Sequence, residues 1–203
     1  MAQSAEQIFR VAHEHLESAR FGLEDMRSRP QRLQSGLRNA VVFARAVSFA
    51  LQNLRGVVPD FDVWYTPQQE AMRSEPLMKY FSDLRTAIEK KADSHVGHTG
   101  HVSFNPGDMH RFEPRPPNAI GFFIGDANGG SGWEVRRADG TKERYYIDLP
   151  PDIGTLTTHL DGVPSEFSHV AAQDLVARYL ERMAKLLTDA ESQFLPKREG
   201  GWD

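Results

Sequence analysis

The chain has 203 residues, 39% hydrophobic and 26% charged, with 24 Lys plus Arg against 28 Asp plus Glu for a net charge of −4. At this length folding can remove roughly 70% of the unfolded chain's surface from water, so one core needs no disulfide or metal staple, and the absence of cysteine excludes a thiolate metal site and a cysteine nucleophile. The acidic balance argues against a broad nucleic-acid surface while leaving room for a local basic cleft. No apolar run approaches the ~20 residues of a membrane span, so no membrane partner and a cytoplasmic location are expected.

Ser4 with Gln7 three residues on forms a capping box, and Pro30 closes the segment that follows. At ~100° per residue Ile8, Val11, Ala12, His15, Ala19, Gly22, Leu23 and Met26 gather on one side, the pattern of a bundle helix. A second helix, over about residues 31–55, repeats it through Leu33, Leu37, Ala40, Val41, Ala44, Val47, Leu51 and Leu54, and its alanines allow close approach of a neighbour. Gly56 and Pro59 stop it. Thr66 with Pro67 opens a short helix, and Ser74 with Pro76 opens another that runs to about Lys91, with Leu77, Tyr80, Phe81, Leu84 and Ile88 on its apolar face.

After Ala92 the helical period is lost, because Gly, Pro and His interrupt every stretch up to Ile120. Residues 120–124, 132–137 and 142–148 read as strands, the last two joined at an Asp139-Gly140 turn, which predicts a small three-stranded antiparallel sheet. Helical period returns over residues 165–194. The expected fold is therefore mainly α, a single domain in which an up-and-down bundle of four to five helices (residues 4–92 and 165–195) carries a β-rich insertion at about 100–160 as an appendage before the last helix.

Few residues announce chemistry. His95, His98 and His101 follow Asp93 in a His-x-x-His-x-x-His spacing that would suit zinc, but Gly97 and Gly100 leave the three unorganised, and a solvated loop is the expectation, with no metal and no cofactor. A hydrolase built on these histidines is the remote alternative. The Gly125 to Gly132 run lacks the order of a phosphate-binding motif and leads into a strand rather than a helix, so it reads as a flexible hairpin loop.

One segment differs in kind: Asp-Val-Trp-Tyr at residues 62–65, then Pro-Leu-Met-Lys-Tyr-Phe-Ser-Asp-Leu-Arg-Thr-Ala-Ile-Glu-Lys-Lys at 76–91. It resembles the late-helix signature of HEPN-domain proteins, where an aromatic and a leucine precede Arg-Asn and a histidine follows. The resemblance implies a bundle that pairs into a homodimer and, in active members, cleaves RNA without metal. Arg85 matches the arginine, Thr86 stands in place of the asparagine, and Lys90 or Lys91 stands where the histidine belongs. Lysine, with a pKa near 10.4 against 6.5 for histidine, cannot exchange a proton near neutrality. The expectation is thus a catalytically weak or inactive protein that binds an anionic ligand (RNA, a nucleotide) or a protein partner through Arg85, Lys90 and Lys91. The alternative is a metal-independent RNase pairing Arg85 with a histidine of the 95–101 segment, His95 being the candidate.

Overall fold

Ser4 opens the first helix, α1 (Ala5–Ser28), as the predicted capping box: its Oγ accepts the Gln7 N–H at 3.3 Å while Gln7 Oε1 accepts the Ser4 N–H at 3.0 Å. The computed structural model describes residues 4–91 and 95–195. A single 3₁₀ turn, Pro30–Arg32, reverses the chain into α2 (Leu33–Gln52). The two helices form the most extensive element pair of the molecule, because small residues line the seam: Ala12, Ala19, Gly22, Gly36, Ala40 and Ala44 are all buried on it. The backbones nearly touch there. A methyl group at Gly22 would stand 2.5 Å from the Ala40 nitrogen and 2.6 Å from the Gly36 oxygen.

α3 (Phe61–Ser74) begins well before the Thr66 start expected from sequence and carries Pro67 in its interior. Phe61 and Tyr65, one turn apart, bury together with rings 5.0 Å apart and stacked, and that burial outweighs the hydrogen bond which Pro67 cannot donate. Pro67 and Val63, four residues earlier, are both exposed, so the interruption lies on the wet side of the helix. α4 (Pro76–Lys91) follows at once. The last helix, α5 (Ala172–Phe194), returns to pack on α1 and α2, burying Leu175, Val176, Tyr179, Leu180, Met183, Leu186 and Leu187. Tyr179 stacks on Phe81 of α4 at 4.4 Å, and His13 meets Glu191 at 2.6 Å across the far end of the α1–α5 pair.

Between α4 and α5 lie five strands. β2 (Ala119–Phe123), β3 (Ser131–Arg136) and β4 (Lys142–Ile147) form the predicted antiparallel sheet in the order β2-β3-β4. Two strands were not expected: β1 (Val96–Val102) pairs antiparallel with β5 (Gly154–Leu160), from Val96 opposite Leu160 to Val102 opposite Gly154. β1 escapes sequence reading because neither of its faces is fully buried, so the apolar alternation that marks a half-buried strand never develops. The segment of residues 95–101 is accordingly a strand and its lead-in rather than a solvated loop. The two sheets also divide their allegiance. Leu160 is buried in the core of the bundle, with Val96 and Val163 packed against it, whereas Phe112, Trp133 and Ile153 make a separate small core in which Trp133 Nε1 donates to the Phe112 carbonyl at 3.0 Å. Only the three-stranded part resembles an appendage.

The glycine-rich segment is braced rather than loose. Asp126, its side chain 3% exposed, accepts the N–H groups of Asn128 (2.9 Å) and Gly130 (3.1 Å), the Tyr146 hydroxyl (2.6 Å) and Arg144 Nη1 (2.6 Å). Gly129, at φ +73°, lies so close to His98 that a Cβ would stand 2.5 Å from its Nδ1. His98 in turn reaches the Ala127 carbonyl through Nε2 at 3.2 Å and Thr158 Oγ1 through Nδ1 at 3.1 Å. A carbonyl only accepts, so Nε2 is the nitrogen that carries the proton toward the loop. The sequence expectation of a flexible hairpin loop fails on one residue, a buried aspartate able to take four hydrogen bonds.

Two outcomes follow from these contacts. Gly22→Ala should lower the denaturant midpoint, because overpacking against backbone, at ~1–3 kcal/mol, exceeds the ~1 kcal/mol that alanine gains in helix propensity. Gly56→Ala, where a Cβ meets nothing within 4 Å, is the control and should be neutral or stabilising. For Asp126, burial alone would raise the carboxyl pKa, but the hydrogen bonds from Tyr146, Gly130, Asn128 and Arg144 outweigh it and hold the group below the ordinary carboxylate range. A lowered native pKa contributes stability that is present above the unfolded value near 3.9 and is lost as pH falls through the native one. Asp126→Asn should therefore be less stable than the parent at pH 7, with the gap narrowing at pH 3; an equal gap at both pH values would contradict the assignment.

Candidate anion-binding site

The buried stripe of α2 leaves a second stripe facing outward, Arg38, Val42, Arg45 and Phe49, spaced at i, i+4, i+7 and i+11. α4 runs beside it. Ile88 and Glu89 line a hollow with Arg38 and Val42, and Arg85, one turn earlier on α4, reaches Phe49. Phe49, 44% exposed, thus carries two guanidinium groups over its ring, Arg45 Cζ at 4.8 Å and Arg85 Cζ at 5.6 Å from the centroid.

The counter-charge is sparse. Arg85 Nη2 pairs with Glu89 Oε2 at 2.9 Å, and the side chain is 31% exposed. Its Nε is buried with no hydrogen-bond partner, the only such side-chain atom among the described residues. Arg45 and Arg38 form no ion pair among the described residues. Behind the arginines stand two phenols. Tyr179 is 2% exposed, and burial pushes its hydroxyl up to about 12 against the opposing positive charges of Arg45 and Arg85. Tyr65 is likewise raised by burial, opposed by Arg45, and accepts from Gln52 Nε2 at 3.5 Å. The Tyr179 hydroxyl makes no hydrogen bond among the described residues. The cluster is therefore rich in donors and poor in acceptors, the electrostatic profile of an anion site.

Of the residues singled out by sequence, Arg85 lies in this cluster. Thr86 is exposed and spends its hydroxyl on the Ser82 carbonyl of its own helix at 3.1 Å. Lys90 is exposed near the end of α4, and the expectation for the Lys91 side chain lies outside the described residues. His95, at φ 47°, leads into β1, and its carbonyl accepts the Asp161 N–H at 2.7 Å. His98 is held by Ala127 and Thr158, and His101, an odd number of residues along the strand, points to the opposite face. Strand geometry thus disperses the histidine triplet, and Asp93 lies outside the described residues. Among the described residues no three His, Asp or Glu side chains are grouped to hold a metal.

Sequence reasoning missed Arg45, Phe49, Tyr65 and Tyr179. The available signal was an arginine and a phenylalanine four apart on the polar side of an alanine-rich helix, which reads equally as ordinary surface until α4 is placed beside it.

Comparison with known proteins adds one similarity. Residues 10–101, from α1 through most of β1, match the family described as bacteriophage lambda protein ea47. Neither a curated protein nor a solved structure matches the chain. No HEPN family is matched, so the HEPN resemblance read from residues 62–91 is corrected: the arginine is there, but its neighbour Thr86 is spent on the helix backbone. What this part of the chain is similar to is the lambda ea47 family.

Proposed function

We propose that the chain binds a phosphate-bearing ligand through Arg45 and Arg85, which meet at Phe49, and holds it without chemical turnover. The observation that carries this reading is the partly exposed guanidinium of Arg85 beside a second arginine, Arg45, that forms no ion pair among the described residues. The Nε itself is closed to solvent, so a ligand oxygen meets the Arg85 guanidinium on its partly exposed side, where it gains a charge-assisted bond. Arginine suits the task because its planar fork meets phosphate oxygens with two parallel N–H groups.

The groups behind Phe49 argue for holding rather than reacting. Guanidinium groups stay protonated, and the Tyr179 phenol, at about 12, stays protonated too. Glu89 is engaged by Arg85. The reading needs one chain only, and the dimer implied by the sequence resemblance forms no part of it.

Arg85→Ala should leave the melting temperature close to that of the parent, since a partly exposed pair four residues apart contributes ~0.5 kcal/mol or less. It should weaken binding of inorganic tripolyphosphate, measured by calorimetry, by ~10-fold or more. Arg45→Ala should act in the same direction, and Arg85→Lys should recover only part of the loss. Tripolyphosphate affinity that is unchanged in both alanine variants would overturn the reading.

A further inference from the structure

We infer that the ligand of this face is single-stranded nucleic acid, with an unpaired base seated in the hollow between α1 and α2 beside Phe49; the inference rests on the phosphate-binding reading above. The hollow measures about 350 Å³, within the lower range of small-ligand sites. It is lined by the apolar side chains of Ile8, Val11, Ala46 and Ala50 and by the rings of Phe49 and His15. His15 is itself held in place by stacking on Phe43, with centroids 6.0 Å apart and planes 28° from parallel. Asn53 also lines it, and its side-chain amide makes no hydrogen bond among the described residues. A hollow lined by apolar side chains, two aromatic rings and one amide able both to donate and to accept matches a nucleobase, which has flat π faces and a polar edge.

The arginines lie where the backbone of such a strand must run. Arg45 and Arg85 gather at Phe49, and Arg38, two turns back along α2 or ~10 Å, stands at the second hollow, of about 320 Å³, with Val42, Phe43 and Glu89. Arg38, Arg45 and Phe49 therefore share one face of α2, which sets cations on the side of the hollow where the phosphates of a bound strand would lie. The local charge also explains how a chain of net charge −4 can take an anionic polymer: among the described residues Arg38, Arg45 and Arg85 have one ion pair between them, that of Arg85 with Glu89. A duplex would present phosphates but keep its bases paired and outside the hollow. A phosphopeptide would engage the arginines, but only one with an aromatic side chain beside its phosphate could also fill the hollow.

The test uses the full chain, fluorescence anisotropy with 12-nucleotide single-stranded RNA and DNA probes of mixed sequence, a duplex of the same sequence, and tripolyphosphate calorimetry in parallel. A single strand should bind at least tenfold more tightly than the duplex, with RNA and DNA compared to read any contribution of the 2′-hydroxyl. Ala46→Leu, which fills the hollow with a good helix former, and Asn53→Ala should each weaken single-strand binding by roughly tenfold, in the range of a lost base contact. Both should leave tripolyphosphate affinity unaltered, with melting temperature as the check on folding. If tripolyphosphate binds in an Arg85-dependent manner but the single strands bind no better than the duplex, or are indifferent to both hollow variants, the inference fails while the phosphate reading stands. If neither tripolyphosphate nor oligonucleotide binds, both fail together.

Discussion

The close contact of α1 with α2 at Gly22, Gly36 and Ala40 is the constraint on which the rest of the molecule depends. Two helix backbones brought this near admit no side chain between them, so the rotation of each helix about its own axis is set. Once α2 is rotated so that Leu37, Ala40, Ala44 and Val47 face inward, Arg38, Arg45 and Phe49 must face out. The same seam presents a paired apolar surface to α5, whose long buried stripe closes the core. The candidate site is thus a by-product of the most extensive helix pair in the protein.

That packing also explains how the molecule tolerates an electrostatic deficit. Two arginines with one carboxylate between them, two buried phenols and an orphaned guanidinium N–H are unfavourable features to gather in one place. A bundle with a continuous core, from Ile8 on α1 to Ala190 on α5, has stability to set against them. The contrast with Asp126 is instructive. There a more deeply buried charge is saturated by two backbone N–H groups, a hydroxyl and a guanidinium, and the result is a braced turn whose acceptors are fully used. A satisfied charge builds structure, whereas an unsatisfied one is the better candidate for a ligand.

The β region occupies two roles for a topological reason. β1 and β5 bracket the three-stranded sheet in sequence and pair with each other, so the insertion leaves the bundle and returns to it at neighbouring points, with Leu160 entering the helical core. The sheet between them is then free to form its own small core around Trp133 and Phe112. His98 joins the two parts through Thr158 and Ala127, which gives this histidine a structural duty.

Local chemistry was enough to determine the elements that carry a strong periodic or capping signal. The Ser4–Gln7 box, the apolar stripes of α1, α2, α4 and α5, and the strands flanking Asp139-Gly140 depend on neighbours within a turn or two, and they were legible. Arg85 was legible as a cation on a helix surface. The early start of α3, the pairing of β1 with β5, the bracing of the glycine segment by Asp126 and the meeting of Arg45, Phe49, Arg85 and Tyr179 were decided only by the tertiary structure. The physical reason is common to all four. Each depends in part on groups distant in sequence, for α3 the Phe194 ring 5.8 Å from Phe61, whose burial or hydrogen bonding outweighs weak local preferences only after α1 and α2 have fixed where the other elements can lie.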